Sequence, residues 1–228
     1  MPVWNGVLPE PDVRNIDDMR SVLKDPSCTC TSPLYFMYRA LARSDKDRRW
    51  LTAKKLRYDI TVIPPRIICG ELVKTKGHYH PENSAGAGYP ELYEVLEGNA
   101  HYLLQKEDLT DIVLVEAGKG DLVLIPPFYG HVTINPGKDD LVMANIVSDE
   151  FTSIYGPYEK MQGAAYYETE TDIFEKNGCY PDIPGIRKIP AKETVKNLGV
   201  PGSLYELVEK RWVGLSFLNE PQDYNLAI

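Results

Sequence analysis

Between residues 56 and 150 the apolar positions fall into short runs rich in β-branched and aromatic residues. These runs are Tyr58–Ile63, Ile67–Lys74, Leu92–Leu96, His101–Gln105, Ile112–Val115, Leu122–Ile125 and Leu141–Val147. Pro64-Pro65, Glu97-Gly98, Glu107-Asp108, Gly118-Lys119-Gly120, Pro126-Pro127 and Asn135-Pro136-Gly137 separate them, and such residues supply the backbone conformations that turns require. Strands this short and this regularly spaced predict an antiparallel sandwich or barrel of the jelly-roll kind.

The flanks differ. In residues 1–55, Asp17–Lys24 reads as a short helix and Leu34–Tyr38 as an aromatic strand, followed by a charge-rich turn from Arg43 to Arg49. After about residue 165 the β rhythm fades into a tail rich in Tyr, Pro and Glu, with a helix expected at Ser203–Lys210. The expected division is therefore an N-terminal extension (1–55), a barrel (56–160) and a C-terminal extension (161–228). Residues 82–90, Glu-Asn-Ser-Ala-Gly-Ala-Gly-Tyr-Pro, read as a small-residue loop, a lid or plain surface.

Composition narrows the picture. With 228 residues, 43% of them hydrophobic and 25% charged, the chain can build a real core. A net charge of −8 argues against a nucleic-acid binder. No apolar run has the length of a membrane span. The start, MPVWNGVLPEPDVRN, has no basic-then-apolar leader pattern, so the expected address is cytoplasmic. Cys28, Cys30, Cys69 and Cys179 are accordingly expected to be free thiols.

The candidate chemistry lies in two blocks. The first is His78-Tyr79-His80, then Glu91, then Gly98 after six further residues; the second runs Gly120, Pro126, His131, Asn135. On a strand His78 and His80 point the same way, about 6–7 Å apart. Glu91 and His131, brought from other strands, complete a four-ligand set suited to Fe²⁺, Zn²⁺, Ni²⁺ or Mn²⁺. Strand parity puts Glu91, Tyr93, Val95 and Glu97 on one face and Glu94 on the other; Glu97 sits at the turn, which favours Glu91 as ligand. His101 falls outside both blocks and reads as an ordinary core or surface residue.

These blocks resemble the paired signatures of the cupin superfamily, which implies a double-stranded β-helix holding one metal per subunit. Residues 56–156 further resemble the archaeal cupin-type glucose-6-phosphate isomerases. The resemblance is carried by Thr61-Val62-Ile63-x-Pro65, Lys74-Thr75-Lys76-Gly77-His78-Tyr79-His80, Glu91-x-Tyr93, Leu103-Leu104-Gln105, Val123-x-Ile125-Pro126-Pro127 and Tyr155-Gly156. It implies isomerisation of glucose 6-phosphate and fructose 6-phosphate in glycolysis and gluconeogenesis, a homodimer, and Fe²⁺ as the first choice of cation. The gap between His80 and Glu91 is longer than in the family. Phe128 stands where cupins often have glycine, and Val147 where the family places a tyrosine proposed to relay protons.

Moving a proton between C2 and C1 of an aldose needs a base and a stabiliser for the developing oxyanion. Glu91 is the expected base, with Tyr93 and Tyr155 as further catalytic groups; a metal-assisted hydride shift would use the same ligands. The resemblance puts Thr61, Thr75 and Gly77 around the phosphate, whereas strand parity puts Lys74 and Lys76 on the histidine face. A bulge at Gly77 reconciles the two. Mannose-6-phosphate isomerase or epimerase, an iron dioxygenase and a non-catalytic sugar-binding cupin are the alternatives. Leu34–Tyr38 and the Tyr-rich tail are the expected dimer surface, since edge strands need covering.

Overall fold

The computed structural model describes residues 4–171 and 173–228; the first three residues of the N-terminal extension and Asp172 of the C-terminal one lie outside it. Among the described residues fourteen strands appear in chain order: β1 (Asp12–Arg14), β2 (Tyr35–Tyr38), β3 (Leu56–Ile63), β4 (Ile67–Ile68), β5 (Glu71–Leu72), β6 (Glu91–Glu97), β7 (Asn99–Lys106), β8 (Ile112–Gly118), β9 (Leu122–Ile125), β10 (Tyr129–Ile134), β11 (Leu141–Ser148), β12 (Tyr166–Glu168), β13 (Phe174–Lys176) and β14 (Arg187–Pro190). A six-stranded sheet has the order β1-β2-β3-β11-β6-β9, and a four-stranded sheet the order β10-β7-β8-β14. These two sheets form the antiparallel, jelly-roll kind of β barrel that the spacing predicts.

Alternation explains why the six-stranded sheet is buried on both faces. In β11, Leu141 and Met143 turn into the core between the sheets, while Val142, Ala144 and Ile146 turn outward. In β3, Tyr58 and Ile60 face outward and Ile63 inward. The outer face is covered by α2 (Asp45–Ala53) through Leu51 and by α5 (Leu204–Glu209) through Leu204, Leu207 and Val208, together with Leu215, Phe217 and Leu218. Glu94, on the outward parity, accepts a bond from the Leu204 amide at 2.7 Å, so a strand carboxylate satisfies one of the orphan N–H groups at the start of α5.

The flanks are built into the sheets. β1 and β2 join the large sheet, and β14 pairs in parallel with β8. The aromatic strand Leu34–Tyr38 was expected at an edge, but β2 is paired on both sides, by β1 and β3. The run Ile67–Lys74 is broken rather than continuous. Cys69 (φ 47°) and Gly70 (φ 90°) form a tight reversal between β4 and β5, the two-positive-φ geometry that right-twisted hairpins prefer. β10, not expected as a strand, pairs along its length with β7.

The expectation of four free thiols is overturned. Cys28 and Cys69 form a disulfide, their Cα atoms 5.9 Å apart, leaving Cys30 and Cys179 free. The hairpin reversal carries Cys69 to buried Cys28, a pairing 41 residues distant that local spacing could not reveal. Closing a loop of that length restricts the unfolded chain, so Cys28→Ser or reduction is expected to lower unfolding free energy by about 2–4 kcal/mol, as read by chemical denaturation with and without reductant.

Candidate metal centre

The segment from Val73 to His80 bridges the two sheets. Its contacts with β10 run Asn135 N to Val73 O at 3.1 Å, Thr75 N to Thr133 O at 2.8 Å and His131 N to His78 O at 3.1 Å. Thr75 thus faces Thr133 and His78 faces His131, three steps against two, so one extra residue is accommodated at Lys76-Gly77. The bulge changes which side chains face inward. Thr75, Lys76, His78 and His80 all line one cavity of about 250 Å³. Lys74, placed by strand parity on the histidine face, instead turns away to pair with Glu71 and lies over the Tyr167 ring.

Gly77 does not line that cavity. A Cβ here would come within 2.2 Å of the Tyr158 ring and 2.7 Å of Val132, so glycine lets the bulge close against Tyr158. Gly77→Ala is expected to cost about 1–3 kcal/mol by overpacking, measurable as a lowered unfolding midpoint.

His78, His80, Glu91 and His131 offer one ligand atom each within 4.8 Å of one another. Three parts of the fold supply them. His78 and His80 ride the bridging segment, Glu91 opens β6, and His131 lies on β10. The Nδ1 atoms of His78 and His80 face the Lys76 and Tyr89 carbonyls at 3.3 and 2.9 Å, which turns each Nε2 to the centre. His131 is held otherwise. Its Nε2 lies 3.1 Å from the Tyr93 hydroxyl, while its buried Nδ1 has no partner.

Burial dominates the electrostatics. Desolvation pushes His78 down to about 4 and His80 down to about 3, and holds His131 well below its ordinary range. The same cause lifts the Glu91 carboxyl to about 8. The 3.5 Å approaches of Glu91 to His80 and His131 are therefore contacts of neutral imidazoles, not ion pairs. This donor set fits a divalent cation: three neutral imidazoles, the form that binds metals, and one carboxylate oxygen converge on a common point. His131→Ala and Glu91→Gln are each expected to weaken divalent-cation binding by more than about 100-fold, beyond what losing an outer partner costs, as read by calorimetric titration.

The other expected residues divide clearly. Thr61, Tyr93 and Tyr155 line the cavity; the Tyr155 ring is 5.4 Å from that of His78 and lies under the Lys76 ammonium. Val147 pairs with Glu91 on one side and Arg57 on the other and lines the cavity without a proton to offer. His101 is remote, bonded to Glu168 at 2.8 Å. Phe128 adopts φ 67°, the conformation in which glycine is at ease. Residues 82–90 are tied down by Asn83, whose amide reaches Asn219 O and Gln222 Oε1 at 3.2 and 2.9 Å. Sequence reasoning missed Arg39, Arg57, Asn145 and Phe151, all of which line the cavity. Arg57 and Asp59 follow the two-residue alternation of β3, which begins at Leu56 rather than at the expected Tyr58.

The fold and this site define a β-barrel protein with a three-histidine, one-glutamate cluster able to hold a metal ion. The family model for glucose-6-phosphate isomerase (GPI) matches residues 7–183, and the chain belongs to that family of isomerases. The glucose-6-phosphate isomerase of Thermococcus gammatolerans is 27% identical over 157 residues, 66% of this chain and 77% of its own. That of Pyrococcus furiosus is 30% identical over 101 residues, 44% and 51% of the two chains. Among solved structures, the oxalate decarboxylase of Bacillus subtilis is similar at 19% identity and a TM-score of 0.38, over 53% of this chain and 27% of that one. Among the described residues no helix is long and apolar enough to cross a membrane.

Proposed function

We propose that the chain is a metal-dependent aldose–ketose isomerase interconverting glucose 6-phosphate and fructose 6-phosphate, in glycolysis and gluconeogenesis. The observation that carries this reading is the convergence of His78, His80, Glu91 and His131 within 4.8 Å in a chain of this family. Those four residues would hold one divalent cation, Fe²⁺ before Zn²⁺, Ni²⁺ or Mn²⁺, and such a cation supplies Lewis-acid polarisation of the sugar oxygens.

The chain's own groups do the rest. Glu91 takes the proton from C2 of the open-chain aldose. The C2–H electron pair becomes the C1–C2 double bond of an enediol, and the carbonyl pair moves to O1, which takes up a proton. Loss of the O2 proton then restores a carbonyl at C2 as Glu91 returns its proton to C1. Tyr93, whose hydroxyl lies beside both Glu91 and His131, is the donor to O1 and the acceptor from O2. Tyr155 orients the sugar, and Thr61, Thr75 and Lys76 form the phosphate end. The buried walls exclude water that would protonate the enediol at random.

The open edge of β1, beside the aromatic strand β2, and the Tyr-rich tail are the proposed surfaces of a homodimer. The proposed place of action is the cytoplasm, where phosphorylated sugars are retained by their charge, although the Cys28–Cys69 disulfide is unusual for a reducing compartment.

Chelator-stripped protein is expected to be inactive in a coupled fructose-6-phosphate assay, and to regain turnover with Fe²⁺ or another of the four cations. Glu91→Gln should then lower kcat about 10²–10⁴-fold at full metal loading. Turnover indifferent to chelation and re-addition would refute the metal-dependent reading. In D₂O, solvent deuterium entering at C1 or C2 of the product supports the enediol route; its absence points to a hydride shift.

A further inference from the structure

Two guanidinium groups face the cavity with no part in the chemistry above. Arg39 and Arg57 both line it, and both are tied to one carboxylate. Asp59 is fully buried and accepts from Arg39 Nη1 at 3.0 Å, from Ala40 N at 2.9 Å and from Arg57 Nε at 2.8 Å. One buried carboxylate thus answers two guanidiniums, which leaves a positive charge in excess on this wall. The remaining acidic neighbours do not cancel it. Asp12 approaches Arg39 at 3.5 Å and Asp149 approaches Arg57 at 3.1 Å, but their side chains are 69% and 59% exposed, and solvent screens such pairs. Lys76, the other cation of the lining, is already matched by Glu159 at 2.6 Å.

The two arginines differ in what they still have to donate. Arg57 directs Nε to Asp59 and Nη1 to Asp149. Arg39 directs Nη1 to Asp59, but among the described residues its Nη2 meets only the Met37 sulfur at 3.1 Å, and a thioether is a weak acceptor. Arg39 also stands beside a hydroxyl that faces the same space. Met37 pairs with Thr61 across β2 and β3, and Arg39 follows one step past the Tyr38–Ile60 pair. Its charge is felt at Tyr155 and at Glu91 across the cavity. A rigid, planar donor fork with an underused N–H next to a threonine hydroxyl matches the oxygens of a phosphate monoester better than those of an uncharged sugar.

We infer that Arg39, oriented by buried Asp59, selects phosphorylated over unphosphorylated sugars by donating from Nη2 to a phosphate oxygen. Arg39 is then a substrate-binding residue and Asp59 a positioning residue that acts through it. This rests on the isomerase reading for the identity of the sugar, and on the cavity alone for the recognition of phosphate.

The test is steady-state kinetics of metal-loaded wild type, Arg39→Met, Arg39→Lys and Asp59→Asn, with inorganic phosphate as a competitive probe. Arg39→Met is expected to lower kcat/KM for fructose 6-phosphate about 10–100-fold, carried by KM, with the phosphate inhibition constant rising by the same factor. Arg39→Lys should fall between. Asp59→Asn should raise KM less than Arg39→Met does and add little on top of it, because the two act as one unit. A folded Arg39→Met with KM and phosphate inhibition within about two-fold of wild type overturns the inference, as does a loss confined to kcat. Should Arg39→Met fail to fold, Arg39→Lys carries the same test, since it keeps a charge at Asp59. If the wild type turns over no sugar phosphate, the isomerase reading fails by itself. Calorimetric titration with inorganic phosphate then decides: binding lost in Arg39→Met sustains the inference, and binding equal in both, or absent from wild type, ends it.

Discussion

The short ladder between the Val73–His80 segment and β10 is the contact on which the site depends. Each sheet supplies only part of the ligand set: Glu91 belongs to the six-stranded sheet and His131 to the four-stranded one. The bridging segment carries His78 and His80 between them, and its bonds to Thr133 and His131 set the depth at which both rings enter. The bulge at Lys76-Gly77 is part of that setting. Without the extra residue, strand alternation would carry Lys74 into the cavity and turn Thr75 away from it.

Desolvation imposes the second constraint. Burial disfavours the charged form of each group, so the imidazoles stay neutral, and ready as ligands, even at acid pH where they would protonate in water. The carboxylate wall made by Asp59 follows the opposite rule. It accepts hydrogen bonds from two guanidiniums and a backbone amide. Two modes of accommodating polar groups therefore share one cavity. One side is neutral and metal-receptive, the other cationic and anion-receptive.

Much of this was legible from local pattern. The His78, His80, Glu91 and His131 set follows from period-two alternation, and so does the separation of Glu91, turned inward, from Glu94, turned to cap α5. What stayed hidden was set by contacts distant in sequence. Cys28 and Cys69 meet because a hairpin reverses at a cysteine, a residue that does not advertise turns. β10 follows Pro126-Pro127 and carries a glycine, so its strand character shows only once β7 lies beside it. Arg39 sits just past the end of β2, and only the fold brings it opposite Asp59. The tail from 191 onward has little periodicity of its own because its apolar residues cover a sheet built much earlier in the chain.

That last arrangement bears on the order of events during synthesis. The outward row Leu92, Ala144 and Ile146 is finished once residue 148 has emerged, yet the side chains that seal it, from Leu204 to Leu218, follow more than fifty residues later. A growing chain made at about 5–20 residues per second can therefore close the inner core of its barrel while an apolar sheet face still looks onto solvent for several seconds. During that interval the nascent barrel is a natural client for chaperones.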